Sequence, residues 1–248
     1  MIIGDFLNFF RYVSMEIKMK RQFLKAMALV GAILYVSPAW SESEVGLYGW
    51  ATDVSGQVSL GRLSVPVEVD FATILDNADT TLQFYALNRG EQWGGGVDVT
   101  FLDSSKSTSV GALTNEFTLI DFFGSYRLSE NSDLIGGIRN LDMDTTLDIA
   151  GLATANSNIT VTDAFVGFKT SAPMSENWEF NLRVDLGAGD SDLVTHALIG
   201  VRRNFSNSTS IRIGYRYLDY DFQGMRRGIP TNVDLQYSGP AIGLSVVF

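Results

Sequence analysis

The sequence predicts an all-β protein: an antiparallel transmembrane β-barrel of ten strands, with eight strands as the alternative count. Three observations indicate this class. They are an apolar leader near the N-terminus, side chains that alternate between apolar and polar over most of the remaining chain, and connections of alternating length. Alternation is the property of strands, because successive side chains of a strand point to opposite faces.

Residues 1–41 have the order of regions found in a secretory signal peptide. A basic cluster at 18–25 precedes an apolar run of eleven residues at 26–36, which is too short to cross about 30 Å of hydrocarbon as a helix. The small residues Ala39 and Ser41 then fit a cleavage site. The first eighteen residues fit such a leader poorly, so Met1, Met15 and Met19 are alternative starts. We expect a cleaved leader at 1–41 and a barrel domain at 42–248.

Two segments show the alternation most clearly. From Trp178 to Leu186 (WEFNLRVDL), every even position is apolar and every odd position is polar or charged. The C-terminus repeats this pattern, with Ile242, Leu244, Val246 and Phe248 on one face. Each segment therefore predicts a strand with one apolar face.

Ten such segments follow one another along the chain. Their approximate bounds are 47–60, 79–89, 92–103, 115–128, 132–147, 158–171, 176–187, 192–205, 208–222 and 234–248. Connections after even-numbered segments are short and polar. Those after odd-numbered segments tend to be longer, at 61–78, 104–114, 148–157 and 223–233, with 188–191 as a short exception. Short turns at one end and long loops at the other are typical of an outer-membrane barrel.

A soluble lipocalin-like barrel or a β-sandwich is the alternative architecture. It would place the apolar faces inside and all the charged faces in water, and the charged fraction of 19% is low for that. We therefore expect the apolar faces to point outward, into lipid.

The chain resembles small bacterial outer-membrane β-barrel proteins through its leader, its alternation over 42–248 and its terminal Phe248. In that family the terminal aromatic strand is part of the signal read by the barrel-assembly machinery, so the resemblance implies that Phe248 is an assembly signal. We expect outer-membrane lipid, lipopolysaccharide and the assembly machinery as partners, and a monomer. The chain also looks like an uncharacterised branch of this class, with a segment like Val69–Ala78 after the first strand and a Gly239–Pro240 pair in the last.

The composition excludes several kinds of chemistry. The 248 residues include no cysteine and one histidine, which removes disulfides, thiolate nucleophiles and histidine-clustered metal sites. The net charge of −10 argues against a nucleic-acid partner, whose footprint would be basic. We expect no cofactor.

If the polar faces point inward, they form a charge network in the lumen. Its members are Asp53, Asp98, Asp121, Arg127, Arg139, Asp163, Arg183, Asp185, His196, Arg202, Arg212 and Arg216. A ten-stranded barrel is narrow, so side chains fill its interior, and charges buried there require partners. We expect Arg139 and Arg216 to pair with lumen carboxylates.

Two octapeptides share the pattern G-x-R-x-L-D-x-D, at Gly137–Asp144 and Gly214–Asp221. Their glycine and arginine share the inward face, so their aspartates, Asp142, Asp144, Asp219 and Asp221, point outward. A carboxylate in hydrocarbon is costly, so these residues lie above the apolar band or follow a bulge. They are weak candidates for divalent cations shared with lipopolysaccharide phosphates.

The segment Val69–Ala78 differs from its surroundings. Asp70 could cap a short helix in which Phe71, Ile74 and Leu75 share a face. A helix of this length is unstable alone, so it would pack on the barrel mouth or plug the lumen.

These features predict an integral outer-membrane barrel with a structural or surface-interaction role and a lumen largely filled by side chains. A narrow channel for small polar solutes is the alternative. A lipid-modifying or hydrolytic enzyme is a more remote alternative. Its catalytic base would be His196, with Asp185 beside it, but no Gly-x-Ser-x-Gly motif is present.

Overall fold

The computed structural model of the protein describes residues 42–69, 78–108, 111–149, 153–226 and 229–248. The predicted leader, 1–41, lies outside the described residues. Twelve strands are formed: β1 (Glu42–Trp50), β2 (Asp53–Leu60), β3 (Leu63–Val69), β4 (Ala78–Arg89), β5 (Trp93–Thr108), β6 (Gly111–Ser129), β7 (Ser132–Ile149), β8 (Ala153–Ser175), β9 (Trp178–Gly189), β10 (Leu193–Asn204), β11 (Thr209–Arg226) and β12 (Ile229–Val247). Within the described ranges, no helix is long and apolar enough to cross a membrane.

The strands close into an antiparallel barrel. The C-terminal half of β12 pairs with β1, and its N-terminal half pairs with β2. β1 and β2 are therefore two parts of one long first strand, and β4 and β3, which pair with them, are two parts of the second. The remaining strands pair in chain order. The predicted all-β class and the count of ten strands around the barrel are confirmed.

The first strand breaks at Ala51–Thr52, opposite the Gly239–Pro240 pair of β12. The Ala51 N–H donates to the Pro240 carbonyl at 2.8 Å, and a Cβ added to Gly239 would collide with the Ala51 carbonyl. Proline supplies no N–H to a ladder, so it is tolerated where pairing is interrupted. The Gly-Pro pair thus marks the break in the barrel's first strand.

The predicted long loops are largely wrong, because the strands continue through them. β5 extends to Thr108 and β6 begins at Gly111, and β7–β8 and β11–β12 likewise reach into the predicted loops 148–157 and 223–233. In sequence these extensions show no regular alternation of apolar and polar residues, so the hydrophobic pattern did not predict them as strands. Backbone hydrogen bonds between neighbouring strands stabilise these extensions without an apolar face.

The predicted loop 61–78 also contains strand. β2 and β3 form a hairpin whose turn holds Gly61 at a positive φ of 61°, a backbone conformation that favours glycine. Val69 ends β3 and Ala78 begins β4. The predicted short helix, capped by Asp70, falls within 70–77, which lies outside the described residues.

The two ends of the barrel differ. The terminal rim holds residues 42 and 248 and the turns that follow β4, β6, β8 and β10, whereas the distal rim holds the β2–β3 turn and the C-terminal ends of β5, β7, β9 and β11. Exposed aromatic side chains cluster at the terminal rim, namely Trp93, Trp178, Phe205 and Phe248. Trp93 also packs edge-to-face on Tyr126, with ring centroids 4.8 Å apart. Such a ring of aromatic residues is typical of a membrane–water interface.

Beyond this rim, the exterior of the barrel is apolar. Its exposed members are Leu47, Leu134, Ile138, Val166, Leu186, Ile199, Ile213, Tyr215, Ile242 and Leu244. A soluble protein does not expose apolar residues on this scale, so the soluble barrel or sandwich is wrong.

The apolar side chains change sides along the strands that carry the octapeptides. In β7, Ile138 is exposed on the outside, whereas Leu141 and Met143 are buried inside. In β11 the same change occurs between Tyr215, outside, and Leu218, inside. Within each octapeptide the leucine is the first apolar residue that points inward, and in β7 Ile135, nearer the terminal rim, is also buried inside. The octapeptide leucine marks the level at which the exterior stops facing lipid.

The octapeptide aspartates lie beyond this level, on the outer face. The ladder of β7 with β8, and those of β11 with both neighbours, run through them without a shift of register. The outward carboxylates therefore lie above the apolar band of the exterior, and no bulge turns them inward.

The distal half of the interior is a hydrophobic core, which we call the distal core. Its buried members are Trp50, Leu102, Phe117, Leu119, Leu141, Met143, Val161, Val194, Leu218, Tyr220, Val233, Leu235, Tyr237 and Ala241. Phe117 of β6 packs on Tyr237 of β12, with ring centroids 5.2 Å apart, and the Tyr237 hydroxyl lies 4.0 Å from the sulfur of Met143 in β7. These strands belong to different walls, so the core spans the lumen.

Candidate functional site

Four charged side chains on the terminal-rim side of the distal core form what we call the ion-pair layer. Arg139 donates through Nε and Nη2 to the two oxygens of Asp121, at 2.7 and 2.8 Å, and through Nη2 to Asp185 at 2.9 Å. Arg183 donates through Nε to Asp185 and through Nη2 to Asp121, both at 2.8 Å. Each carboxylate therefore meets both arginines. The layer is neutral and nearly all of it is buried.

Aromatic rings hold the two guanidinium groups of this layer in place. Arg139 and Arg183 lie over the Phe165 ring, 4.9 and 5.3 Å from its centroid, and Arg183 lies 5.1 Å from that of Phe123. A cation is attracted to the face of an aromatic ring, most strongly where water is excluded. The layer is thus fixed by stacking as well as by ion pairs.

His196 continues the network from the ion-pair layer. Its Nδ1 lies 2.9 Å from Asp185 Oδ2, and its Nε2 lies 3.1 Å from Arg216 Nε. Arginine can only donate, so Nε2 accepts and Nδ1 carries the proton that is donated to Asp185. His196 is therefore neutral, and both of its ring nitrogens are engaged.

Arg216 reaches across the lumen from β11. Its Nη1 donates to the Tyr48 hydroxyl at 2.8 Å and to Thr100 Oγ1 at 3.1 Å. Tyr48 in turn donates to Asp98 at 2.7 Å, whereas Arg216 itself lies 3.8 Å from Asp98. The pairing of Arg216 with a carboxylate thus runs mainly through a tyrosine that analysis of charges alone did not identify.

A second group of charges lies nearer the terminal rim, around Glu44. Arg212 Nη2 donates to both oxygens of Glu44, at 2.6 and 2.9 Å, and Arg202 lies 3.5 Å away. The Tyr85 hydroxyl also donates to Glu44 at 2.6 Å. The sequence prediction missed Glu44 because the first predicted strand began at residue 47. Its inward parity with Tyr48 and Trp50 was the available signal.

Three other predicted network members take different positions. Asp163 is buried, but it accepts from the backbone N–H and hydroxyl of Ser191, at 2.8 and 2.9 Å, and so fixes a distal turn. Arg127 is half-buried near the terminal rim. Asp53 is exposed, so its predicted place inside the lumen is wrong. It follows the break in the first strand, where the inward positions of β2 are taken by residues such as Val54, which packs against the distal core.

The four octapeptide aspartates do not assemble a metal site. Asp142 and Asp144 both accept from Asn158 Nδ2, at 3.1 and 2.6 Å, and Asp219 accepts from the Tyr217 hydroxyl at 2.7 Å. They lie on β7 and β11, with three strands between them. Among the residues that the structure describes, no group of three or more histidine or acidic side chains is placed to hold a metal ion.

A cavity of about 140 Å³ lies between the ion-pair layer and the terminal rim. We call it the terminal cavity. It reaches Asp98 in the middle of the barrel, whose side chain is 18% exposed for that reason. A cavity in the distal core, beside Leu141 and Tyr237, holds only about 20 Å³. The interior is therefore open toward the terminal rim and packed toward the distal rim.

Comparison with known proteins identifies the architecture. No family model matches this chain, and no curated protein does. The outer-membrane protease OmpT of Escherichia coli matches with a TM-score of 0.54 and 8% identity, over 86% of this chain and 99% of that one. The fold is that of an outer-membrane β-barrel. The apolar exterior and the aromatic terminal rim agree with it, so the protein is an integral outer-membrane barrel.

Other solved barrels match at lower TM-scores. Ail, the attachment invasion locus protein of Yersinia pestis, has a TM-score of 0.42 and 9% identity, over 84% of this chain and 98% of that one. The translocator domain of the autotransporter NalP from Neisseria meningitidis has a TM-score of 0.43 and 12% identity, over 93% and 95%.

Proposed function

We propose that this protein is a closed outer-membrane barrel with a structural or surface-interaction role, rather than a channel or an enzyme. The distal core carries the proposal. The contacts of Tyr237 with Phe117 and Met143 join separate walls of the barrel across the lumen. A solute pathway needs a continuous polar or hydrated route, and an apolar core packed in this way interrupts one.

The ion-pair layer supports closure at a second level. Each of its carboxylates is paired with both arginines, and its members are buried. A wide hydrated pore would instead leave such side chains exposed to water. Two different kinds of packing, one apolar and one ionic, therefore obstruct the same lumen.

His196 supports a non-catalytic role. A general base needs a ring nitrogen free to take a proton from the substrate. His196 Nε2 already accepts from Arg216, and Nδ1 donates to Asp185. The histidine links two arginine-bearing parts of the lumen and acts as a structural connector.

The exterior of the barrel indicates which part of the outer membrane each region contacts. The apolar exterior contacts outer-membrane lipid, and the polar outer faces of β7 and β11 lie at the level of lipopolysaccharide head groups. We place the protein there as a monomer, delivered by a leader at 1–41 that is cleaved on export.

Single-channel recording in planar bilayers tests closure. The purified protein should show no steady conductance steps. Insertion in the same bilayers is verified by heat-modifiable migration of the recovered protein, so that silence is not mistaken for failure to insert. Regular, reproducible steps from protein shown to be inserted would establish the channel instead.

Deletion of Phe248 tests its role as an assembly signal. The side chain is 66% exposed on the barrel exterior, and the residue pairs with Ser43 through two backbone bonds of 2.9 Å. Losing a lipid-facing phenylalanine removes about 2–3 kcal/mol of burial. We expect outer-membrane levels in cells to fall severalfold, whereas the protein refolded in detergent should lose only that modest stability.

A substitution at another exposed aromatic residue distinguishes recognition from burial. Phe205→Ala removes another exposed aromatic of the terminal rim and leaves the last strand intact. It should leave outer-membrane levels near those of the wild type. Equal levels for the Phe248 deletion and Phe205→Ala would show that no signal resides at the C-terminus.

A further inference from the structure

The terminal cavity lies on a wall of small residues between two levels of arginine. On the inward face of β11, Arg212, Gly214 and Arg216 follow one another, and Gly214 has no side chain. Its neighbours across the ladders are Gly200 of β10 and Ala241 of β12. All three of these small residues contribute to the lining of the terminal cavity.

Both arginines line this cavity, and each has a donor without an acceptor. Arg212 uses Nη2 for Glu44, and its buried Nε has no hydrogen-bond partner among the described residues. Arg216 is 2% exposed and uses Nε and Nη1, but its Nη2 is likewise without a partner there. A buried donor of a charged group is costly to leave unsatisfied. The described residues therefore supply no acceptor for these two nitrogens, and because neither is accessible to water, a ligand reaches them only if the arginine side chains shift.

The nearby carboxylates do not supply this acceptor. Glu44 already receives bonds from Arg212 and Tyr85 and lies 3.5 Å from Arg202. Both carboxylate oxygens of Asp98 accept from the Tyr48 hydroxyl, at 2.7 and 2.9 Å. An additional anion would find guanidinium donors that the protein itself leaves unused.

The rest of the cavity suits an apolar group. Leu87, Phe123, Leu198 and Ala241 contribute to its lining. Its volume of about 140 Å³ is close to that of an engineered cavity, about 150 Å³, that binds benzene. The side chains of Arg212 and Lys169, also in the lining, are 29% and 21% exposed, which leaves a route from the terminal rim.

We propose that the terminal cavity binds a small carboxylate with an apolar body, of about the size of benzoate. The carboxylate accepts from the unused arginine donors, and the apolar body lies on the wall formed by Gly214 and Ala241. This goes beyond the closed-barrel role. Binding opens no route through the distal core. The conductance experiment therefore tests the closed barrel, and the binding experiment tests the terminal cavity independently.

Isothermal titration calorimetry on the detergent-solubilised protein tests the site. Three probes are compared: benzoate, the uncharged benzyl alcohol of similar shape, and inorganic phosphate, which has charge without an apolar body. We expect benzoate to bind at least tenfold more tightly than either of the other two. Saturable binding with one site per chain is expected.

Two variants locate the binding. Ala241→Leu fills the cavity from its wall, and Arg212→Gln removes the unused Nε donor together with the positive charge. Each should weaken benzoate binding tenfold or more. Leu244→Ile changes a residue of the same strand that faces outward, is 59% exposed and does not line the cavity, and it should leave benzoate binding unchanged. Heat-modifiable migration verifies that each variant is folded.

Several results would overturn the proposal. Benzoate binding no tighter than that of benzyl alcohol would mean that the unused arginine donors do not bind a carboxylate. Phosphate binding equal to that of benzoate would remove the apolar part of the site. Benzoate binding that survives both Ala241→Leu and Arg212→Gln in folded protein would place the ligand elsewhere, in the detergent or on the surface.

Discussion

Replacing Arg139 with alanine is expected to lower the free energy of unfolding by about 3–5 kcal/mol. Arg139 is fully buried and neutralises parts of both Asp121 and Asp185. Without it, two buried carboxylates share the single charge of Arg183. The loss therefore comes mainly from the uncompensated carboxylate rather than from the ion pair itself.

Urea titration of the protein in detergent micelles, followed by tryptophan fluorescence, measures this change. Arg203→Ala is the control, because Arg203 is exposed and stacks over Trp178 and Phe205, 5.5 and 5.4 Å from their centroids. A cation–π contact at an exposed site contributes about 0.5–1 kcal/mol. Similar small losses for Arg139→Ala and Arg203→Ala would indicate a lumen wide enough for water to screen its charges.

A compensated variant distinguishes charge imbalance from lost packing. Arg139→Met combined with Asp121→Asn leaves Arg183 opposite Asp185, so the layer stays neutral. Replacing a buried ion pair by less polar groups of similar volume is often close to neutral in stability. We expect the double variant to be more stable than Arg139→Ala. If it is equally unstable, shape rather than charge determines the contribution of Arg139.

The sequence placed Asp121, Arg139, Arg183 and Asp185 on one face, because period two alone determines the face of a strand. It did not show which arginine meets which carboxylate. That choice depends on the stagger between strands and on the barrel's diameter, which are set by all ten strands together. Arg216 shows the limit most clearly, since its partners Tyr48 and Thr100 come from distant parts of the chain.

The distal core was not predicted for a different physical reason. The sequence prediction assumed that apolar side chains point outward along a whole strand. That holds only while the exterior faces lipid. Above that level the exterior meets water, so the apolar residues of β7 and β11 change to the inside at Leu141 and Leu218, as they would in a soluble barrel. The G-x-R-x-L-D-x-D repeat records this change, with leucine turned inward and aspartate outward.

Leu218→Ala is expected to cost about 2–5 kcal/mol of unfolding free energy, because it leaves a void in the core. Leu218 is fully buried and lies where the ion-pair network meets the distal core, directly across the ladder from His196. The surrounding strands are joined by continuous ladders, so the site can collapse only partly. Urea titration in detergent micelles measures the loss.

Leu193→Ala is the matched control, with the same chemical change at a distal turn where the side chain is 47% exposed. Surface substitutions usually change stability by about 0.5 kcal/mol or less. The difference between the two leucines reports directly on whether the distal interior is dry. If water already fills it, Leu218 gains little from burial, and both variants would lose a similar, small amount. A large loss confined to Leu218→Ala would support a lumen closed by packing, whereas equal losses would favour a hydrated passage through the same strands.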